Sequence, residues 1–324
     1  MQISPEDAKA SSPAVSTAPP SVSMYGRWLD SDIWYSFTRS WVTMLAALVT
    51  FVLIASAVFA PWIAPHNPLD LQTLSLLDGS KPPVWSRDGD WKFLLGTDQQ
   101  GRDLLSSILY GMRISLTVGF FGVILAATIG IALGLIAGYF GGRIDSIIMR
   151  VADVQLTFPA ILIALLIDGT MRALVGTAKS EALVFWVLVV SIGLSFWVQY
   201  ARTVRGSTMV ERNKDYVHAA RLIGLSKTTI LFRHVLPNVI GPVLVIATIN
   251  LALAVITEAT LSFLGVGLPP TEPSLGTLIR VGNEFLFSGE WWVVIFPGLT
   301  LAALVLAVNL LGDWLRDALN PKLQ

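Results

Sequence analysis

Six runs of apolar residues dominate this chain of 324 residues. Each approaches the ~20 residues that a helix needs to cross ~30 Å of hydrocarbon. They extend from about Trp41 to Ala60, Ile114 to Phe140, Ala152 to Ile167, Ala182 to Tyr200, Val239 to Leu264 and Trp291 to Leu311. The first alone holds ten Val, Leu, Ile or Phe residues, worth roughly −3 to −6 kcal/mol in total on the insertion scale. The pattern predicts an all-α membrane protein with six transmembrane helices. The third run is the shortest, with Asp153 and Gln155 near its start.

Hydrophobic residues make up 54% of the chain and charged residues 14%, far from the balance of a soluble domain. The formal net charge is zero, so no basic field favours nucleic acid. Without cysteine there is no disulfide, thiolate nucleophile or cysteine-ligated metal. The first apolar run follows a tail carrying Glu6, Asp7, Asp30 and Asp32, which makes it a retained anchor rather than a cleaved leader.

Within that tail, Ser11–Ser23 is rich in Ser, Ala, Pro and Thr and is expected to be disordered. Trp28, Trp34, Phe37 and Trp41, beside Arg27 and Arg39, fit either a helix lying at the membrane interface or a polar lead-in with ordinary flanking aromatics. Basic residues are retained on the cytoplasmic side. With both termini inside, the cytoplasmic segments hold 14 of the 22 basic residues and the Ala201–Pro237 connection alone holds seven. The long opposite connection, about Pro61 to Gly111, is rich in Pro, Gly and Asp. A loop of that length has a role of its own, either facing an external partner or closing over the outer mouth.

Gly130, Gly134, Gly138 and Gly142 recur at i, i+4 in the second run. Such a face lets two backbones approach closely in lipid, and a tight helix crossing is expected there. Glu258 lies 21 residues beyond Pro237, ~32 Å up a helix at ~1.5 Å per residue. That position makes it an outer-gate candidate or a structural brace for the Gly265, Gly267, Pro269 and Pro270 turn rather than a substrate ligand. His66 falls outside and His218 and His234 inside, so the three histidines cannot form one metal site. The chain contains no Gly-x-x-x-x-Gly-Lys-[Ser/Thr] phosphate cradle, no His-Glu-x-x-His and no Gly-x-Ser-x-Gly. It is not expected to be an enzyme or to need a cofactor.

The most charged connection also has the clearest local design. Tyr216–Ile223 has no helix breaker and good propensity. Gly224 can end it in the left-handed conformation, and Ser226 is an N-cap for a second helix through Arg233. Pro237 is expected to stop that helix and start the next apolar run. The product is a short helical hairpin with a defined bend.

Ala219-Ala220, Gly224 and His234-Val235-Leu236-Pro237 resemble the coupling loop of ATP-binding-cassette importer permeases. That loop reads Glu-Ala-Ala, three residues, Gly, and a distal Leu-Pro; here His218 stands where many members carry Glu. Three more segments, Leu95–Asp103, Glu258–Gly265 and Gly312–Asp317, resemble signatures of the second permease of oligopeptide and dipeptide importers, in the family's order. The resemblance covers roughly Leu95 to the C-terminus. It implies the type I importer permease fold, with His218, Ala219, Ala220, Arg221, Gly224, Leu225, Ser226, Arg233, His234, Leu236 and Pro237 in a cytoplasmic coupling element. Ala219, Ala220, Gly224 and the second helix would contact an ATPase groove. It further implies a second homologous permease, two cassette ATPases, an external substrate-binding protein and a bacterial inner-membrane location amid lipid. The expected organisation is a cytoplasmic tail (1–35), the first span with its long outer loop (36–110), a core (111–313) containing the coupling loop (201–237), and a C-terminal tail (314–324). An ion-coupled secondary transporter is the alternative. It calls for midplane charges and paired broken helices, of which the sequence offers little. An intramembrane enzyme would need a paired catalytic set, and none is found.

Overall fold

The computed structural model describes residues 32–70, 74–175, 181–269 and 272–318. Ser11–Ser23, Trp28, Pro270 and residues 319–324 of the tail lie outside them. Among the described residues every regular element is helical. After α1 (Asp32–Arg39), Ser40 caps α2 (Trp41–Val58), its hydroxyl accepting from Thr43 N. A short α3 (Ala60–Ile63) opens the long connection that follows. Asp103 caps α4 (Leu104–Phe140) by accepting from Ser106 N. Then come α5 (Gly142–Leu156), α6 (Ala160–Val175), α7 (Glu181–Glu211), the hairpin region, α10 (Leu236–Phe263), α11 (Leu275–Phe285) and α12 (Trp292–Ala318).

Several helices outrun their apolar runs. The 37 residues of α4 reach about 56 Å at ~1.5 Å per residue, well beyond ~30 Å of hydrocarbon. Likewise α7 continues past Tyr200 to Glu211, so residues 201–211 extend the helix beyond its apolar run. Hydropathy registers only the portion inside lipid, whereas the helix continues as long as its backbone bonds are satisfied.

The third expected span, Ala152–Ile167, is not one helix. Leu156 and Ala160 bracket a break across which α5 and α6 are bent by 97°. Pro159 lacks an N–H and its ring disfavours helical backbone at Phe158, so the helix cannot pass through. Among the described residues five helices are long and apolar enough to cross a membrane singly, and the bent pair taken as one span makes six.

The count of six follows from the register between α4 and α7, the most extensive helix contact in the molecule. Gly122 lies against Ile192, Gly130 against Tyr200, Gly134 against Val204 and Gly138 against Thr208. Both numbers rise together, so the two helices run parallel. The chain between them must therefore cross back once, and α5–α6 is the segment that does so. Added Cβ atoms would lie 2.4 Å from Tyr200 Cβ at Gly130, 2.6 Å from Ala201 O at Gly134 and 2.7 Å from Thr208 Cβ at Gly138. Gly142 departs from the expected stripe. The helix ends at Phe140, Gly141 and Gly142 take φ of +65° and +56°, and nothing lies within 4 Å of a Cβ at Gly142. The four-residue spacing carries on past a helix end that spacing alone does not mark.

In the long connection before α4, the Leu95–Asp103 segment closes on itself. Asp98 and Arg102 form a buried ion pair at 2.7 Å, Asp98 Oδ1 accepts from Gln100 N and Arg102 N, and Gly96 and Gly101 take left-handed φ. Trp292 Nε1 donates to Thr97 O at 3.1 Å, and Glu290 accepts from Ser80 Oγ and Gln99 Nε2. The long connection is thus fastened to the start of α12. Hydrogen bonding to the Lys81 ammonium holds the Asp78 carboxyl below the usual range.

If Cβ-free contact holds α4 to α7, Gly134→Leu abolishes assembly. Gly134→Ala also destabilises, because its methyl meets backbone, despite the ~1 kcal/mol that alanine gains over glycine in a helix. Gly206→Ala, on the open side of α7 with nothing within 4 Å, leaves the yield and thermal midpoint of the detergent-solubilised complex unchanged or higher. Equal behaviour of the two alanine variants would remove the packing argument.

Candidate coupling surface

The connection between α7 and α10 is a two-armed hairpin. Its first arm is α8 (Asp215–Leu222). At its end Leu225 N donates to Ala220 O and Gly224 N to Arg221 O, both at 3.1 Å. This pair of bonds is the Schellman closure, which needs a left-handed residue at its centre, and Gly224 has φ +80°. Ser226 then caps the second arm, accepting from Thr229 N at 3.2 Å.

The second arm departs from expectation in how it ends. The short α9 (Lys227–Thr229) passes into a π-helical turn, Ile230–Val235, and directly into α10. Pro237 does not stop the helix. A proline ring clashes with the carbonyl four residues back, and the wider π turn just before it gives that carbonyl room. The His234 carbonyl accepts from Asn238 Nδ2 at 2.6 Å. The second arm is therefore the first part of the fifth span.

The hairpin has two unlike faces. Val217, Ala220, Ile230, Leu231 and Val235 are buried in the main core with residues of α4, α7 and α10. Ala220, expected to meet an ATPase groove, instead packs inward, because the helix turns that position toward Ile230 and the core. His218, Ala219, Arg221, Gly224, Leu225, Ser226, Arg233 and Pro237 are exposed, while His234 and Leu236 are half-buried. Large apolar side chains occupy the outward tip, with Leu222 88%, Ile223 75% and Phe232 65% exposed.

A polar pin that sequence reasoning missed fixes the base. The Tyr216 hydroxyl donates to Glu211 Oε2 at 2.5 Å and accepts from Asn238 Nδ2 at 3.2 Å. Lys214 Nζ also reaches Glu211, at 2.6 Å. One phenol thus ties the end of α7 to both arms. Burial, then its bond to Glu211, pushes the Tyr216 hydroxyl up to about 12, so it remains a donor at any physiological pH. The only local signal was a tyrosine five residues after a glutamate.

Glu258 lies at the opposite end of α10. It is fully buried, Oε1 accepting from Ser262 Oγ at 2.7 Å, with the Ser115 and Ser274 hydroxyls beside the carboxylate. Ser274 caps α11 and Ser115 belongs to α4, so the carboxylate sits where three helices meet. Nearby, Arg172 pairs with the buried Asp168 at 2.5 Å and donates to the Val266 and Gly267 carbonyls, tying α6 to the turn after α10. An Asp and an Arg four apart at the end of an apolar run are the sequence signal for this pair.

Residues 130–324, from the glycine face through the hairpin to the end of the chain, match the family model described as "Binding-protein-dependent transport system inner membrane component". The chain belongs to this family. Residues 28–83 match a second model, the "N-terminal TM domain of oligopeptide transport permease C". Among its relatives is the "Di/tripeptide transport system permease protein DppC" of Pseudomonas aeruginosa, 38% identical over 90% of this chain and 92% of the relative. Another is the "Dipeptide transport system permease protein DppC" of Escherichia coli K12, 41% identical over 90% and 93%. A third is the "Glutathione transport system permease protein GsiD" of Pectobacterium atrosepticum, 38% identical over 90% and 91%. A solved inward-facing MetNI methionine ABC transporter aligns with 67% of this chain and 96% of its own, at 20% identity and a TM-score of 0.49. The protein is a multi-pass inner-membrane permease subunit of an ABC importer, distinct from the ATPase of that system.

Tyr216→Phe removes the pin while keeping the ring. A hydrogen bond to a charged group is worth about 1.5–3 kcal/mol, so hairpin amides of the permease exchange hydrogen roughly ten- to a hundredfold faster with expression unchanged. Exchange at the wild-type rate would show that the pin does not hold the hairpin.

Proposed function

We propose that the permease imports di- or oligopeptides, pairs with a second homologous permease to form the pore, and rests on two cassette ATPases. An external binding protein delivers the cargo, lipid surrounds the spans, and both termini are cytoplasmic. The names of its relatives, covering di- and tripeptides, dipeptides and glutathione, support a short-peptide substrate. In this reading 1–35 and 314–324 are cytoplasmic tails, 36–110 carries the first span and outer loop, and 111–313 is the core. The hairpin within 201–237 is the coupling element.

One observation carries the coupling assignment: an exposed apolar tip on two arms whose other face is rooted in the core and whose second arm runs unbroken into α10. Leu222, Ile223 and Phe232 exposed to the cytoplasm are a partner surface in want of its partner. Ala219 gives close approach beside them and His218 and Arg233 form its polar surround, while Arg221 and Leu225 are turned toward the end of α4. Closure of the ATPases on ATP displaces the tip. Because no flexible joint intervenes, the displacement tilts α10, closing the inside and opening the outside.

Purification of the tagged chain from its own membranes in gentle detergent recovers a second permease and ATPase subunits; an isolated, ATP-inert chain would contradict the reading. Gly224 supplies a finer test, because nothing lies within 4 Å of a Cβ there and any effect comes from the backbone. Forcing a left-handed conformation on Val costs about 1–2 kcal/mol, whereas Asn tolerates it. Gly224→Val should keep expression and insertion but lower uptake per ATP roughly 5- to 30-fold, and Gly224→Asn should retain most of it. Unchanged transport by Gly224→Val would take the bend out of the mechanism.

A further inference from the structure

Between the end of α4 and the two hairpin arms lies a cavity of about 400 Å³, lined by Tyr139, Phe140, Arg221, Leu225, Lys227 and Ile230. Its volume is in the range of small-molecule sites. Two cations stand over its aromatic wall, the Arg221 guanidinium 5.2 Å from the Tyr139 ring and the Lys227 ammonium 5.6 Å from the Phe140 ring. Among the described residues neither forms an ion pair, and Glu211, the buried carboxylate of the hairpin base, is already held by Lys214 and Tyr216. Arg212 adds a third charge at the same helix end, donating to Gly138 O at 2.7 Å and offsetting the negative pole that α4 presents there.

We infer that this cavity binds the phosphate headgroup of an anionic phospholipid from the cytoplasmic leaflet. Phe140 is the last residue of a membrane-spanning helix, and basic pockets at that depth suit anionic headgroups. The lining separates the lipid from its soluble competitor. A free phosphate would use the two cations and leave Phe140 and Leu225 facing water. A phospholipid places its phosphate on Arg221 and Lys227 and its glycerol and first methylenes on that apolar wall. A lipid so placed touches α4 and both hairpin arms, wedging the coupling element against the span beside it. Transport therefore depends on anionic lipid through the hairpin itself.

The inference rests on the cytoplasmic placement of the hairpin, which is checked separately in this cysteine-free chain. Ser226→Cys must react with a membrane-impermeant maleimide in inside-out vesicles and not in intact spheroplasts. The assembled transporter is then exchanged into nanodiscs of phosphatidylcholine with or without phosphatidylglycerol, and bound lipid is counted by native mass spectrometry. The wild-type complex retains phosphatidylglycerol, and the Arg221→Gln/Lys227→Gln complex binds it about 30-fold more weakly, from the charge lost at two basic positions. Inorganic phosphate at millimolar concentration leaves the wild-type count unchanged. Equal phosphatidylglycerol retention by the double variant would overturn the inference while leaving the importer assignment standing. Displacement by phosphate alone would assign the cavity to a soluble anion. Loss of ATPase subunits with an unaltered lipid count would assign Arg221 and Lys227 to the protein contact. Labelling of Ser226→Cys from outside would instead remove the placement on which the inference stands.

Discussion

Lipid tails are as apolar as leucine, so helices inside a bilayer gain little from hiding apolar surface and associate by fitting closely. The α4–α7 crossing is where this chain satisfies that constraint. Gly130, Gly134 and Gly138 set backbone against backbone along parallel helices, and the rest of the molecule hangs from that contact. Its direction requires α5–α6 to cross once. The end beyond Gly138 and Thr208 leads directly to Arg212, Glu211 and the base of the hairpin. A methyl at Gly134 would therefore disturb both the core of the bundle and the platform on which the hairpin stands.

From that platform a continuous mechanical path leads outward. The apolar tip is held by a hairpin whose bend is set by Gly224 and whose base is pinned by Tyr216 to α7 and α10. The π turn at Ile230–Val235 removes the joint that Pro237 would otherwise create. At the far end of α10, Glu258 meets α4 and α11, and the following turn is clasped by Arg172. Phe232 is thus joined by stiff elements to the turn after α10. Each connection is a polar contact or a helix rather than a slack loop.

Much of this was legible in the sequence, and the exceptions share a cause. Six apolar runs and the Gly224–Ser226 punctuation are local signals, and the helices and bend they specify need no distant partner. The bend at Pro159 was hidden inside a run whose hydropathy was sufficient to span. Gly142 kept a four-residue rhythm past a helix end that only the left-handed turn at Gly141 creates. Ala220 reads as a contact residue in a motif, yet its burial depends on Ile230 and the core across the hairpin. The Tyr216, Glu211 and Asn238 pin joins three helices at separations that no spacing rule covers. The sequence displays what the chain does to itself over a few residues; the structure supplies what distant elements do to each other.

The central claim is that the hairpin and α10 move as one body, and pulsed electron paramagnetic resonance tests it directly. This chain has no cysteine to remove, so once the cysteines of its partner subunits are replaced, spin labels can be placed at Thr228 on the second arm, Ile240 on α10 and Val42 on the peripheral α2 of the complete transporter. Between nucleotide-free and ATP-bound states, the account predicts an unchanged Thr228–Ile240 distance while both residues shift together relative to Val42. A Thr228–Ile240 distance that changes with nucleotide, while Ile240 stays fixed relative to Val42, would place a flexible joint at the π turn and contradict it.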